Sequence, residues 1–131
     1  DCAAAYLKAL NPDVDVAAFH QKIEEFEGKS PYDLILDGTD NFVAKSFIND
    51  WALTNSVPLI AASVNRFEGQ CGVFAGHLQD APCYRCLFPD LPDEAPNCAT
   101  AGVLGSVPGI AGLYQAHLAF LYLVGLGDIA P

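Results

Sequence analysis

Two short apolar runs constrain this chain more than any other feature. Tyr32-Asp33-Leu34-Ile35-Leu36-Asp37 and Pro58-Leu59-Ile60-Ala61-Ala62-Ser63-Val64 are each closed by turn residues, as strands buried on both faces are. Between them lies a helical stretch, expected from about Phe42 to Thr54. Strand, helix and strand at this spacing make a βαβ unit with a right-handed crossover. The fold class is therefore α/β, with a mostly parallel sheet and flanking helices.

The flanks fit around that unit. Asp1 to Leu10 reads as the end of a helix stopped by Asn11-Pro12, with no capping signal ahead of it, so the helix is expected to begin before residue 1. Val14 and Val16 alternate with Asp13 and Asp15, which suggests a short strand. Phe19, Ile23 and Phe26 have helical spacing, with Gly28 as the stop. Arg66 to Phe74 reads as a turn into an exposed, antiparallel strand. A long helix follows from about Pro108 to Val124, closed by Gly125-Leu126-Gly127.

With 131 residues the chain holds a single domain at most. Its 52% hydrophobic content and mean hydropathy of +0.25 are high for a small domain, which implies a large buried or partner-facing surface. The net charge of −10 argues against nucleic acid and anionic membrane as partners. Val107 to Leu126 carries no formal charge, but Pro108, Gln115 and His117 suit a helix buried on most sides better than a lipid span. Five cysteines without a secretory signal point to a reducing compartment, where thiols serve metals and chemistry.

Three places can carry chemistry. Asp37-Gly38-Thr39-Asp40-Asn41 lies at the carboxyl end of a strand, where open α/β sheets bind ligands. Asp40 there can hold a hydrated magnesium ion on nucleotide phosphates, or Asp40 or Asn41 can cap the next helix. From this motif alone the cap is favoured. Cys83-x-x-Cys86 reads as a redox pair, half of a zinc knuckle or two ordinary cysteines, and its polar turn setting favours zinc. Zinc needs further ligands, with His77, Cys71 and Cys98 as the candidates nearby. Cys98 follows a Pro- and acid-rich passage and precedes small residues, so it is either an accessible nucleophile or an ordinary thiol. Arg66 and Glu68 make an ion pair or a site pair. His20 reads as a surface histidine and His117 as a packed one.

Taken together, several segments resemble the ThiF/MoeB/HesA family, bacterial relatives of ubiquitin-activating enzymes. They are Leu10-Asn11-Pro12, Asp37-Gly38-Thr39-Asp40-Asn41-Phe42, Ile48-Asn49-Asp50, Arg66-Phe67-Glu68-Gly69-Gln70, Pro82-Cys83-Tyr84-Arg85-Cys86-Leu87-Phe88 and Cys98-x-Thr100-Ala101-Gly102-Val103-Leu104-Gly105. They occur in family order almost end to end.

The resemblance implies a partial Rossmann-like domain from a cytoplasmic, dimeric adenylyltransferase that uses ATP and Mg2+. Its substrate is the C-terminal Gly-Gly of a small ubiquitin-like sulfur-carrier protein, which is then converted to a thiocarboxylate in thiamin, molybdopterin or related biosynthesis. A sulfurtransferase or cysteine desulfurase would be a further partner. Asp40, with Asn41 beside it, matches the family's magnesium–ATP aspartate. Cys83 and Cys86 match half of its zinc site. Cys98 matches the crossover-loop cysteine that attacks the carrier or forms a persulfide with it, and Arg66 is the second catalytic candidate.

Departures from the family are also visible. The glycine-rich nucleotide loop would fall before Asp1, and a second Cys-x-x-Cys after Pro131. Lys45 stands where the family usually has Arg, and Leu118 and Leu121 replace a Glu and a Lys. Residues 1–131 are thus expected to be one incomplete domain, the C-terminal part of the adenylation domain, inactive alone. The alternative reading is a catalytically inactive subunit that docks a ubiquitin-like partner.

Overall fold

The structure is a computed structural model that describes residues 2–28, 32–89 and 102–126. At its centre is the βαβ unit. Strand β1 (Ile35–Asp37) pairs in parallel with β2 (Leu59–Asn65), and helix α2 (Phe42–Asn55) makes the crossover. Strand β3 (Glu68–Phe74) returns antiparallel along the whole of β2, from Asn65 opposite Glu68 to Leu59 opposite Phe74. The order is β1-β2-β3, so the described sheet is mixed rather than mostly parallel. A two-residue connection suffices for β2 and β3. Arg66 opens it with φ +51°, the left-handed twist that a tight hairpin turn needs.

Period-two alternation along β2 divides the core. Leu59 and Ala61 point to one face and join Ile48 and Ala52 of α2, Phe74, and Tyr84 of the short helix α3 (Tyr84–Leu87). Ile60 points to the other face and meets Val73 and Ala119, the latter on the long helix α4 (Ser106–Val124). The described layers are thus helix, sheet, helix.

Several boundaries follow from local chemistry. Asn41 is extended, and its Oδ1 accepts the amide of Ala44 at 2.8 Å, which starts α2. Ser56 (φ +55°) and Gly125 (φ +65°) close α2 and α4 in the left-handed conformation. Helix α1 (Cys2–Leu10) ends at Asn11-Pro12 as expected, but buries no residue.

Three expectations are corrected. Val14–Val16 forms no strand; among the described residues no partner strand lies beside it, and Val14 is exposed. Phe19–Phe26 contains only a 3-10 turn at Ile23–Glu25. Its rings pack instead: Phe26 lies 5.8 Å from Trp51 and 6.4 Å from Phe19, centroid to centroid, and ring packing does not require helical backbone. Finally, α4 is not buried on most sides. Only Gln115 and Ala119 are buried, while Ile110 and Leu113 are 68% and 76% exposed, because the helix presses a single narrow stripe onto three strands. His117 is correspondingly exposed, stacked on Tyr114. Among the described residues no helix is long and apolar enough to cross a membrane.

Candidate functional site

Strand β1 ends in Asp37, whose side chain is 1% exposed. A lone buried carboxylate would be expensive, so its partners matter. Lys45, three residues into α2, brings Nζ to 2.9 Å from Asp37 Oδ2 and 2.7 Å from the carbonyl of Ala62. Asp37 Oδ1 accepts from Thr39 twice, from the amide at 2.8 Å and from Oγ1 at 2.7 Å. The carboxylate is thereby neutralised on one side and winds the following turn on the other.

Gln115 of α4 completes the arrangement from the opposite face. Its Nε2 donates to the carbonyl of Asp37 at 2.8 Å and to that of Ile60 at 2.9 Å. One side-chain amide thus ties the last residue of β1 to Ile60, near the start of the neighbouring parallel strand β2.

Asp40 stands on this turn, exposed. Among the described residues its carboxylate makes no ion pair or hydrogen bond. A hard, solvent-facing carboxylate with free lone pairs is the donor that Mg2+ takes beside nucleotide phosphates, so the residue fits that ion on donor chemistry. Asn41 is different. Its Oδ1 is committed to the helix cap, as the motif alone favoured, so its structural role here is capping.

The Cys-x-x-Cys lies away from this turn, at α3. Cys83 and Cys86 bring their Sγ atoms to 3.4 Å from each other. Cys83 N–H points at Cys86 Sγ at 3.5 Å, and Cys83 Sγ accepts the Cys86 amide in return. These contacts from Cys83 lower the Cys86 pKa below the ordinary thiol value. Two soft thiols converging in this way suit zinc as half of a four-ligand site. Among the described residues no third His, Cys, Asp or Glu completes a metal group, so neither His77 nor Cys71 joins them. Cys71 sits on β3, where burial raises its pKa, the opposite of what a metal-ready thiol needs.

The Cys83–Cys86 turn is fastened to the core by two devices. Asn49 of α2, 2% exposed, accepts the amide of Tyr84 at 2.9 Å. Arg85 makes two parallel bonds to Asp50, at 3.0 and 2.8 Å. Gly76 allows the close approach: a Cβ there would lie 2.6 Å from Cys83 Cβ and 3.0 Å from its amide nitrogen.

Arg66 and Glu68 form no ion pair among the described residues, since Arg66 spends its backbone, not its side chain, on structure. Its amide donates to Gly102 O at 3.2 Å and its carbonyl accepts from Leu104 at 2.8 Å, making a parallel bridge to Val103. The guanidinium stays exposed. In the ladder Asp37 pairs with Ala61, whereas Arg66 follows the last residue of β2. Cys98 lies outside the described residues.

Sequence reasoning missed Lys45, Asn49 and Gln115 as site-building residues. A signal was present. Lys45 and Asn49 are four apart and share their helix face with Ala44, Ile48 and Ala52, which places polar groups on the core side of α2.

Comparison with known proteins bears on this geometry. The ThiF family matches over residues 1–131. The SAMP-activating enzyme E1 of Haloferax volcanii is 37% identical over 133 residues, covering 98% of this chain and 48% of that protein. The sulfur carrier protein adenylyltransferase of Thermus thermophilus is 40% identical over 129 residues, covering 92% of this chain and 48% of that one. The adenylyltransferase and sulfurtransferase MOCS3 of Mus musculus is 39% identical over 131 residues, covering 96% of this chain and 28% of that one. The chain therefore spans about half the length of the first two relatives.

Proposed function

Because the chain belongs to the ThiF family, we propose that it contributes to ATP-dependent adenylation of the C-terminal Gly-Gly of a ubiquitin-like sulfur-carrier protein, in preparation for thiocarboxylate formation. The observation that carries this reading is Asp40. It is an exposed carboxylate, without a partner among the described residues, on a braced turn at the carboxyl end of a parallel strand, in a chain whose relatives are named as adenylyltransferases of sulfur carriers.

In this reaction the carrier's terminal carboxylate attacks the α-phosphorus of ATP. A carboxyl oxygen–phosphorus bond forms, the bond to pyrophosphate breaks, and the carbonyl is left as a mixed anhydride with AMP. Asp40 would hold the magnesium ion, which when bound offsets negative charge on the phosphates. The residues around Asp40 orient it: Asp37 fixes the turn, and Asn41 begins the helix directly after it. Cys98 would then supply a thiolate. Attack on the anhydride carbonyl expels AMP and gives a thioester; the persulfide route of the family is the other course.

Cys83 and Cys86 would hold half of a structural Zn2+ site, with two ligands from outside the described residues. Arg66 is exposed on the hairpin turn that holds Gly102, and its charge is available to the phosphates or to the carrier. A homodimer is the expected assembly, with the exposed apolar residues of α4 as its contribution from this chain. A sulfurtransferase or cysteine desulfurase would deliver sulfur. Free thiols at every described cysteine suit the reducing cytoplasm.

The test is ATP–pyrophosphate exchange by the full protein, with and without a Gly-Gly-ended carrier. Carrier-dependent exchange that disappears in Asp40→Ala is the expected result. No exchange with any carrier would favour a docking subunit that lacks catalysis.

A further inference from the structure

We propose that Lys45 and Gln115 are positioning residues that set the direction of the Asp40 carboxylate through the turn at Asp37, a role that rests on the reading of Asp40 given above.

A buried ion pair is a poor way to gain stability, because removing two charges from water offsets most of their attraction, and apolar side chains of similar size often do as well. Asp37 and Lys45 are 1% and 4% exposed, so this pair carries that cost in full. What apolar replacements cannot reproduce is the use made of the second oxygen. Lys45 holds Oδ2, and this orients Oδ1 to receive both the amide and the hydroxyl of Thr39. Thr39 adjoins Asp40, so the chain leaves the strand in a single direction.

Gln115 adds a restraint from the other face. The Asp37 carbonyl lies at the last residue of β1, where the strand ladder ends and the oxygen needs a donor. Gln115 Nε2 provides it and also holds the Ile60 carbonyl of the neighbouring strand. The turn carrying Asp40 is therefore fixed by α2 on one side of the sheet and α4 on the other. The helix that follows Gly102 and Val103 is thereby bonded to the strand that precedes Asp40.

Two readouts test this in the full protein. The first uses the ligand-free protein: amide hydrogen exchange at Thr39. In Gln115→Leu it should accelerate on the order of tenfold, as expected for loss of one bond to a buried acceptor, while the Ile60 to Ser63 amides keep their protection; in Lys45→Met it should accelerate at least as much, with the core-strand amides losing protection only by the drop in global stability. The second is equilibrium binding of magnesium–ATP, which should weaken by about the same factor. Lys45→Arg should keep both within roughly threefold of the parent, since its guanidinium keeps the positive charge and can still donate to Asp37 and to the Ala62 carbonyl.

If Lys45→Met does not fold, Thr39→Val takes its place, because it deletes only the hydroxyl bond to Asp37 at nearly constant shape. Unchanged Thr39 exchange and unchanged magnesium–ATP affinity in folded variants would overturn the proposal. Asp40→Ala separates the two ideas. If it leaves magnesium–ATP binding intact, the reading of Asp40 fails. If it abolishes binding while the Lys45, Gln115 and Thr39 variants bind normally, that reading stands and the positioning role fails.

Discussion

Lys45 Nζ lies 2.9 Å from Asp37 Oδ2, deep enough that neither side chain exceeds 4% exposure. Removing one member leaves the other charged, buried and unpaired. Lys45→Met should therefore cost about 3–5 kcal/mol in urea unfolding of the full protein. The double variant Asp37→Asn with Lys45→Met removes both charges and should recover at least half of that loss. A single variant that costs less than about 1 kcal/mol would show that the pair is hydrated in solution.

Asn49 fastens the Cys83–Cys86 turn to the core through the amide of Tyr84. Asn49→Ala strands that buried donor and should destabilise by about 1–3 kcal/mol. The Cys83–Cys86 turn should loosen with it, so the Zn2+ proposed for these thiols should leave the variant at a lower chelator concentration. Gly76→Ala should act on metal retention by a separate route, since its new methyl meets Cys83 at 2.6 Å and must displace it. Metal retention unchanged in both variants would show that α2 and the Gly76 turn do not set the positions of the two thiols.

Arg85 holds the Asp50 carboxyl below its ordinary pKa, chiefly by hydrogen bonding; the Asn49 bond and the Arg85 charge add to this, and burial opposes it. The unfolded carboxyl titrates near the usual value of about 4. The stabilisation is therefore present above that pH and is lost as pH falls through the lower folded pKa. Both side chains are about half exposed, at 45% and 55%, so the pair is worth at most about 1 kcal/mol and weakens in salt. Arg85→Ala should narrow the stability difference between about pH 6 and about pH 3. Equal pH slopes in variant and parent would contradict the assignment.

Ser56 ends α2 at φ +55° and ψ +42°, a conformation that a side chain disfavours. Ser56→Gly relieves this but loosens the unfolded chain. The net gain should be about 0.5–1 kcal/mol, read as a rise in melting temperature. A fall would mean that the Ser56 hydroxyl makes a contact stronger than the strain.

The strands, the crossover helix and the long last helix were readable because their signals are local. Apolar runs bounded by turns, and an Asn three residues ahead of the amide it caps, need no knowledge of distant residues. The same local signals misled at Val14–Val16 and Phe19–Phe26. There the periodicity is real, but a strand needs a neighbour, and the aromatic rings found partners in Tyr32 and Trp51 without helical backbone. The Cys83–Cys86 pair could be read as converging from spacing alone, and its two sulfurs do converge.

By itself, then, the sequence determined the α/β class, the place of the Asp37–Asn41 turn and the family, since backbone preference, periodicity and motif order are written within short windows. Only the tertiary structure decided what holds that turn. Asp37 meets Lys45 across a turn of strand and helix, Asn49 meets Tyr84 across 35 residues, and Gln115 meets Asp37 across 78. Which polar groups face each other over such separations depends on how the helices dock on the sheet. Docking is driven by apolar burial, which is non-directional and leaves the polar pairing to the geometry that results.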